Sequence, residues 1–305
     1  MPGAERERED RVVSVSAAPY DGHDLPRVLE SIASCGATHV EPAFIVGYTE
    51  PFDESAFAPV EADRYRRAID ASGLQCLVMS SHIDLGSPDA FEIFAGRMGF
   101  ARDIGAKIIL TNAARRSSSD IFERNIAALL KLAEERDLII ALENPGDGSD
   151  NLFNLAADGL ALIKRFASPR LRLNYDAANT ASHRPEVDAT ADAVAALPGS
   201  ANMHLKDVRR TPEGWFFQPL GEGEIDMRRL FGALERYPQL PVSLELPFRL
   251  HRGPDAQPVR KLEPVPLATI EAPIRASLDL IRHSLKTPAS PVDAGKAQRD
   301  HHTSA

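Results

Sequence analysis

Cysteine is scarce: the 305-residue chain has two, Cys35 and Cys76, and they stand in no metal-binding or redox spacing. That argues against a disulfide framework, and both are expected as reduced, buried small residues of a cytoplasmic protein. Positive charge is in deficit, with 35 Lys and Arg against 44 Asp and Glu and a net charge of −9. Nucleic acids and anionic membranes are polyanions, so neither is an expected partner. No apolar run approaches the length of a membrane span. The opening MPGAERERED is charged where a secretory signal would be apolar. Neither a GxGxxG nor a GxxxxGK phosphate loop follows the first apolar run, so the nucleotide fingerprint of an open doubly wound sheet is missing. What is present is ordinary globular composition, 43% hydrophobic and 26% charged, which is material for a large core.

Short apolar runs alternate with helical patterns along the chain. The runs are Val12–Ser16, Thr38–Glu41, Gln75–Ser80, Lys107–Thr111, Leu138–Glu143, Leu171–Asp176, Ala201–Leu205 and Val242–Glu245. They are continuous, not alternating in polarity, as strands buried on both faces should be. Phe122, Ile126, Leu129, Leu130 and Ala133 form one helical stripe. Ile270, Ile274, Leu278, Ile281 and Leu285 form another, and Phe91, Phe94, Ala95, Met98 and Ile104 a third. Ser119 or Asp120 is expected to cap one helix and Asp226 another, while Gly36, Gly73 and Gly105 suit left-handed helix ends. Eight strand–helix units predict a single (β/α)₈ TIM barrel over residues 11–286. Residues 1–10 and the polar tail 287–305, with His301 and His302, are expected to be disordered.

Polar residues fall at the ends of the last four runs. IIALEN ends on Glu143, LRLNYD on Asp176 and VSLEL carries Glu245, while ANMHLKD carries His204 and Lys206. A lone acid at a strand end is usually a turn former, a cap or an ion-pair partner. Four on successive strands converge at the C-terminal mouth of a barrel, where active sites are built. Three clustered carboxylates repel one another unless a cation neutralises them. Oxygen ligands with one imidazole suit a divalent metal. Mn²⁺ is the expected ion, with Mg²⁺, Co²⁺ and Zn²⁺ as alternatives.

Together these residues resemble the xylose isomerase-like TIM barrel superfamily, in particular sugar isomerases and epimerases of the tagatose 3-epimerase type. The resemblance spans most of residues 12–285 and rests on ALENPG at 141–146, the Asp176 strand, HLKDVRR at 204–210, PLGEGEID at 219–226 and LEL at 244–246. It implies that Glu143, Asp176, His204 and Glu245 bind one metal, and that Glu143 and Glu245 are an acid/base pair on opposite faces of the substrate. It also implies a substrate-binding role for Arg210. One position departs from the pattern. Many members carry Asp-x-x-His where this chain has Asp176-Ala177-Ala178-Asn179. Asparagine still hydrogen-bonds a hydroxyl but ligates transition metals poorly, which with the acidic charge counts against a DNA repair nuclease.

Glu41, His82 and Asn112 end earlier strands and are candidate pocket residues with Asn179 and Lys206, although each also has a bland reading as a wall residue or ion-pair partner. Trp215 and Phe216 either cover the site or pack under its rim. Arg249 and Arg252 in PFRLHRGP follow the last run and read either as phosphate contacts or, as the favoured reading, as a solvated basic loop, and His183 has no constellation around it. Three functions stay open. The first is a divalent-metal-dependent isomerase or epimerase of a small carbohydrate or polyol, working through a metal-stabilised enediolate. The second is a lyase or dehydratase acting on an inosose or keto-glycoside. The third is a non-catalytic sugar-binding barrel. Nothing in the sequence excludes a homo-oligomer.

Overall fold

In a computed structural model, residues 11–285 are described. The expectations for residues 1–10 and 287–305 lie outside them. Nine parallel segments form one nearly closed barrel: β1 Val13–Ser16, β2 His39–Glu41, β3 Ala43–Ile45, β4 Val78–His82, β5 Ile108–Asn112, β6 Ile139–Glu143, β7 Leu171–Asp176, β8 Ser200–Leu205 and, after two further strands, β11 Val242–Leu244. The ninth segment is a division, not an extra strand. Only Pro42 separates β2 from β3, and proline has no N–H to give the ladder. Its carbonyl still accepts from Ser80 N–H at 2.9 Å, and Val40 N–H bonds Gln75 O at 2.8 Å. The ladder therefore runs on past the break, and β2 with β3 counts as one broken strand of an eight-stranded TIM barrel.

Helices α1 Leu25–Ser34, α2 Pro59–Ala71, α3 Ala90–Asp103, α4 Ser119–Glu135, α5 Ala156–Phe166, α6 Ala177–His183, α7 Ala189–Ala196, α8 Met227–Leu234 and α9 Leu267–Ser284 surround it. The apolar stripes face inward as their spacing requires: Phe122, Ile126, Leu129 and Ala133 of α4 and Ile270, Ile274, Leu278 and Ile281 of α9 are buried. Gly36, Gly73 and Gly105 have φ of +82°, +71° and +100°, the left-handed region where a Cβ is strained. Asp226 caps α8 by accepting from Arg229 N–H. The cap expected for α4 is corrected. A 3₁₀ turn over Arg116–Ser118 leads straight into the helix, so Ser119 is already helical and no side chain caps it. Cys35 and Cys76 are free and buried. No helix among the described residues is long and apolar enough to cross a membrane.

Residues two apart on a strand share a face. Val78, Ile108, Leu110 and Ala141 therefore point the same way as His82, Asn112 and Glu143, and they form a separate apolar cluster that floors the barrel interior. The large core lies between strands and helices. A second sheet was not foreseen. β9 Asp207–Thr211, β10 Gly214–Gln218, β12 Leu250–Arg252 and β13 Pro258–Arg260 pair antiparallel in the order β13-β12-β10-β9. It turns the residues after β8 and β11 into a structured wall.

Candidate active site

The four strand-end residues do converge. One ligand atom from each of Glu143, Asp176, His204 and Glu245 lies within 4.8 Å of all the others, and all four side chains are buried. Strand register places them: Asp176 stands opposite His204, and Glu245 N–H bonds Leu205 O just past β11. His204 Nδ1 faces the carboxylates, 3.3 Å from Glu143 Oε2 and 3.5 Å from Glu245 Oε2. Its Nε2 is 3.1 Å from Glu41 Oε1, which also accepts from Ser80 Oγ at 2.8 Å. A carboxylate on Nε2 fixes the ring and leaves Nδ1 for the cluster.

Electrostatics decide whether the residues fit a cation. Burial disfavours charge on His204, yet Glu143, Glu41 and Glu245 raise its pKa well above the ordinary value. Burial pushes Asp176 up, offset only in part by Lys206. Glu245 lies well below the carboxylate range because Lys206 and His204 outweigh its burial, and His204 with His82 similarly lowers Glu143. Lys206 Nζ is 2.6 Å from Asp176 Oδ2 and also pairs with Glu245 Oε2. Asp176 Oδ2 and His204 Nδ1 are buried and make ion-pair contacts, but neither meets a well-directed hydrogen-bond geometry. Buried polar atoms without a well-formed hydrogen bond are rare inside proteins. Two that point at one spot, beside two more carboxylates, fit a divalent ion in place of the His204 Nδ1 proton.

A cavity of about 260 Å³ opens above the cluster. Of the expected substrate contacts, His82, Asn112, Asn179 and Lys206 line it. Two others do not. Glu41 lies wholly buried behind His204 and serves as its partner. Arg210 is exposed on β9, where its register with Trp215 stacks the guanidinium 5.1 Å from that ring, outside the cavity lining. Phe217, not Trp215 or Phe216, reaches the cavity and packs under Lys206 Nζ at 5.1 Å. Phe216 instead stacks on His251 with ring centroids 4.6 Å apart.

Several contributors were missed. Asn174 Nδ2 donates to Glu143 Oε2 at 2.6 Å and Asn179 Nδ2 to Glu143 Oε1 at 2.9 Å, so both carboxylate oxygens are held. Asn202 donates to Asn174 and to Ser243, tying four strands into one polar layer. The signal was available: Asn174 and Asn202 lie two residues before Asp176 and His204, on the same strand face. Asp207 accepts N–H bonds from Val208, Gly221, Gly223 and Ile225. Its carboxylate occupies the space a Cβ at Gly223 would need, so the GEGEI motif is a loop wrapped on Asp207. His183 is also part of a network, with Nδ1 accepting from Gly148 N–H and Nε2 on Asn154 Oδ1. The reading of Arg249 and Arg252 as a solvated loop is corrected, since both are buried within or beside the second sheet.

A parallel barrel with a buried two-Glu, Asp, His cluster at its C-terminal mouth defines a TIM barrel built around a candidate divalent-metal site. The chain belongs to the xylose isomerase-like TIM barrel family, whose model matches residues 29–278. No curated protein matches it in sequence. Among solved structures it is similar to a D-psicose 3-epimerase from Clostridium cellulolyticum H10 (13% identity, TM-score 0.70, covering 90% of this chain and 99% of that one). An L-ribulose 3-epimerase gives 17% identity and a TM-score of 0.67 over 97% of this chain and 100% of that one. A 3-keto-D-glucoside 4-epimerase from E. coli gives 15% and 0.64 over 90% and 99%. At such identities the likeness is one of fold.

Proposed function

We propose that the protein is a divalent-metal-dependent isomerase or epimerase of a small carbohydrate or polyol. One observation carries the reading: of the four ligand-type residues, only Glu143 and Glu245 line the cavity, while Asp176 and His204 lie beneath. The two that reach a substrate are carboxylates, groups able to take a proton from carbon and return it. When bound, a divalent cation supplies Lewis acidity that makes a C–H beside a carbonyl removable. Glu245, paired with Lys206, and Glu143, held by Asn174 and Asn179, are restrained in position and stay ionised, ready to act as bases. Phe217, Pro247 and Leu250 give the cavity apolar wall that limits water around that proton. Mn²⁺ is the ion we propose.

Solvent-deuterium incorporation, followed by NMR over ketoses, inososes and keto-glycosides with Mn²⁺-loaded protein, tests this. Exchange at the carbon beside the carbonyl, with interconversion of two epimers, is expected for one substrate class. Glu245→Gln should retain metal at saturating concentration and lose turnover by roughly 10²-fold or more. Near-normal epimerisation by the metal-loaded variant removes Glu245 from the chemistry. Net loss of water from an inosose without epimerisation assigns the lyase reading in its place.

A further inference from the structure

Two arginines three residues apart meet different fates. Arg249 is neutralised: Nη1 is 2.8 Å from Asp21 Oδ2 and 2.7 Å from Glu50 Oε1, with Arg260 joining both acids. Arg252 is 4% exposed, lines the cavity, and forms no ion pair among the described residues. Nη1 donates to Tyr48 Oη at 3.0 Å and Ala256 O at 3.2 Å, and Nη2 reaches Asn179 Oδ1 only at 3.5 Å. Nε has no partner. Asp147 lines the same cavity, and despite partial burial its carboxyl is held below the usual range by Ser149, with help from the Arg252 charge. It forms no ion pair with Arg252, and its Oδ1 is taken by Ser149 N–H and O–H at 3.0 and 2.6 Å. A buried guanidinium without an ion-pair partner is costly, and an anionic ligand in the cavity would offset that cost.

The fold goes to some length to hold it there. β12 pairs with β10 through Trp215 and Arg252, and Gly214, at φ +131°, leaves room for the Arg252 carbonyl. A Cβ at Gly146 would lie 2.5 Å from Arg252 Nη2 and 2.6 Å from Nε, so that glycine is what lets the guanidinium settle over the ALENPG loop. Asn179 faces both ways, accepting from Arg252 and donating to Glu143 Oε1 at 2.9 Å. One amide thus separates Arg252 from the proposed base.

Building on the isomerase reading, we propose that the substrate is a short sugar acid whose carboxylate is held by Arg252 while its carbonyl end lies over Glu143 and Glu245. Of the other cations lining the cavity, Lys206 is already paired with Asp176 and Glu245, and Arg115 is exposed. One buried positive charge free of an ion pair matches a monoanion better than a phosphate dianion. The cavity of about 260 Å³ is sized for a small molecule.

The test is calorimetric binding to Mn²⁺-loaded protein of D-fructose, D-tagatose, D-psicose and D-sorbose, beside the forms of each with a 6-carboxylate or a 6-phosphate. At least one 6-carboxylate is expected to bind about 10-fold or more tightly than its neutral parent, the scale of one charge-assisted hydrogen bond. Arg252→Gln should erase that preference with metal content unchanged. Gly146→Ala, which keeps the arginine but displaces it, should weaken it too, and circular dichroism of both variants checks folding. Should Arg252→Gln fail to fold, Gly146→Ala and Arg252→Lys, which keeps the charge without the planar fork, carry the test. The inference is overturned if neutral or phosphorylated ketoses bind as well as every carboxylate, if no carboxylate binds, or if the preference survives in the folded variants. Deuterium exchange separates the two claims. Exchange on neutral ketoses alone keeps the isomerase reading and sinks this one, whereas Arg252-dependent carboxylate binding without exchange or epimerisation does the reverse.

Discussion

The two ends of the barrel interior are built from the same strands with opposite chemistry. At the floor, Val78, Ile108, Leu110 and Ala141 are apolar and packed against one another. Two to four residues further along the same strands stand His82, Asn112 and Glu143, joined by Asp176, His204 and Glu245 at the mouth. The floor is satisfied by dispersion and exclusion of water alone. The mouth is under-satisfied by its own residues: His204 Nδ1, Asp176 Oδ2, Glu41 Oε2 and Arg252 Nε all lack hydrogen-bond partners. Stability resides in the first layer, and capacity to bind in the second.

The largest expected effect comes from breaking the mouth. Asp176→Ala and His204→Ala should abolish stoichiometric metal binding and turnover while the far-ultraviolet circular dichroism stays that of wild type. Retention of metal by either variant, read by elemental analysis, would detach that residue from the centre. Breaking the floor should do the converse. Leu110→Ala is expected to cost about 2–5 kcal/mol in urea unfolding, the range for a buried leucine, with metal stoichiometry unchanged. Loss of metal from the folded Leu110→Ala protein would show that the layers are coupled.

A smaller effect sharpens the boundary between the layers. Glu41→Gln removes the carboxylate behind His204 Nε2 but keeps a hydrogen-bonding oxygen, and should weaken metal affinity by roughly 10–100-fold without removing the site. The smallest effect concerns the rim. Burial, with Arg184 nearby, lowers the His183 pKa to about 4, and its Nδ1 accepts a backbone N–H that a protonated ring cannot take. In the unfolded chain the value is near 6.5, so between there and about 4 the unfolded state binds more protons. The His183 contribution is therefore complete above pH 6.5 and lost as pH falls toward 4. His183→Asn should flatten that part of the stability profile, measured as urea midpoints at pH 7 and pH 4.5. An unchanged acid slope would mean that His183 takes up its proton equally in the folded and unfolded protein.

Much of the site was legible because a strand fixes the face of every second residue. Glu143, Asp176 and Glu245 each close an apolar run and His204 stands one residue before the end of another, and once the runs are neighbours their ends must meet. The same logic reached His82 and Asn112. It did not reach Asn174 or Asn202, which sit inside runs and look like interruptions until their faces are counted. Glu41 was found as a site residue, but its place behind His204, not in the cavity, depends on a contact between strands far apart in the chain. Arg210 and Arg252 had no periodicity to betray them. One sits on a hairpin that turns outward, and the other on a strand that pairs with that hairpin.

By itself, then, the sequence determined the eightfold alternation, the barrel and the acids and imidazole at the ends of four of its strands. These follow from local rules of period and propensity that need no distant partner. Tertiary structure alone decided which charges are paid in kind and which are left waiting. Arg249 meets Asp21 and Glu50, while Arg252 meets only neutral groups, and that difference arises from backbone paired across more than thirty residues of separation, which no local pattern encodes.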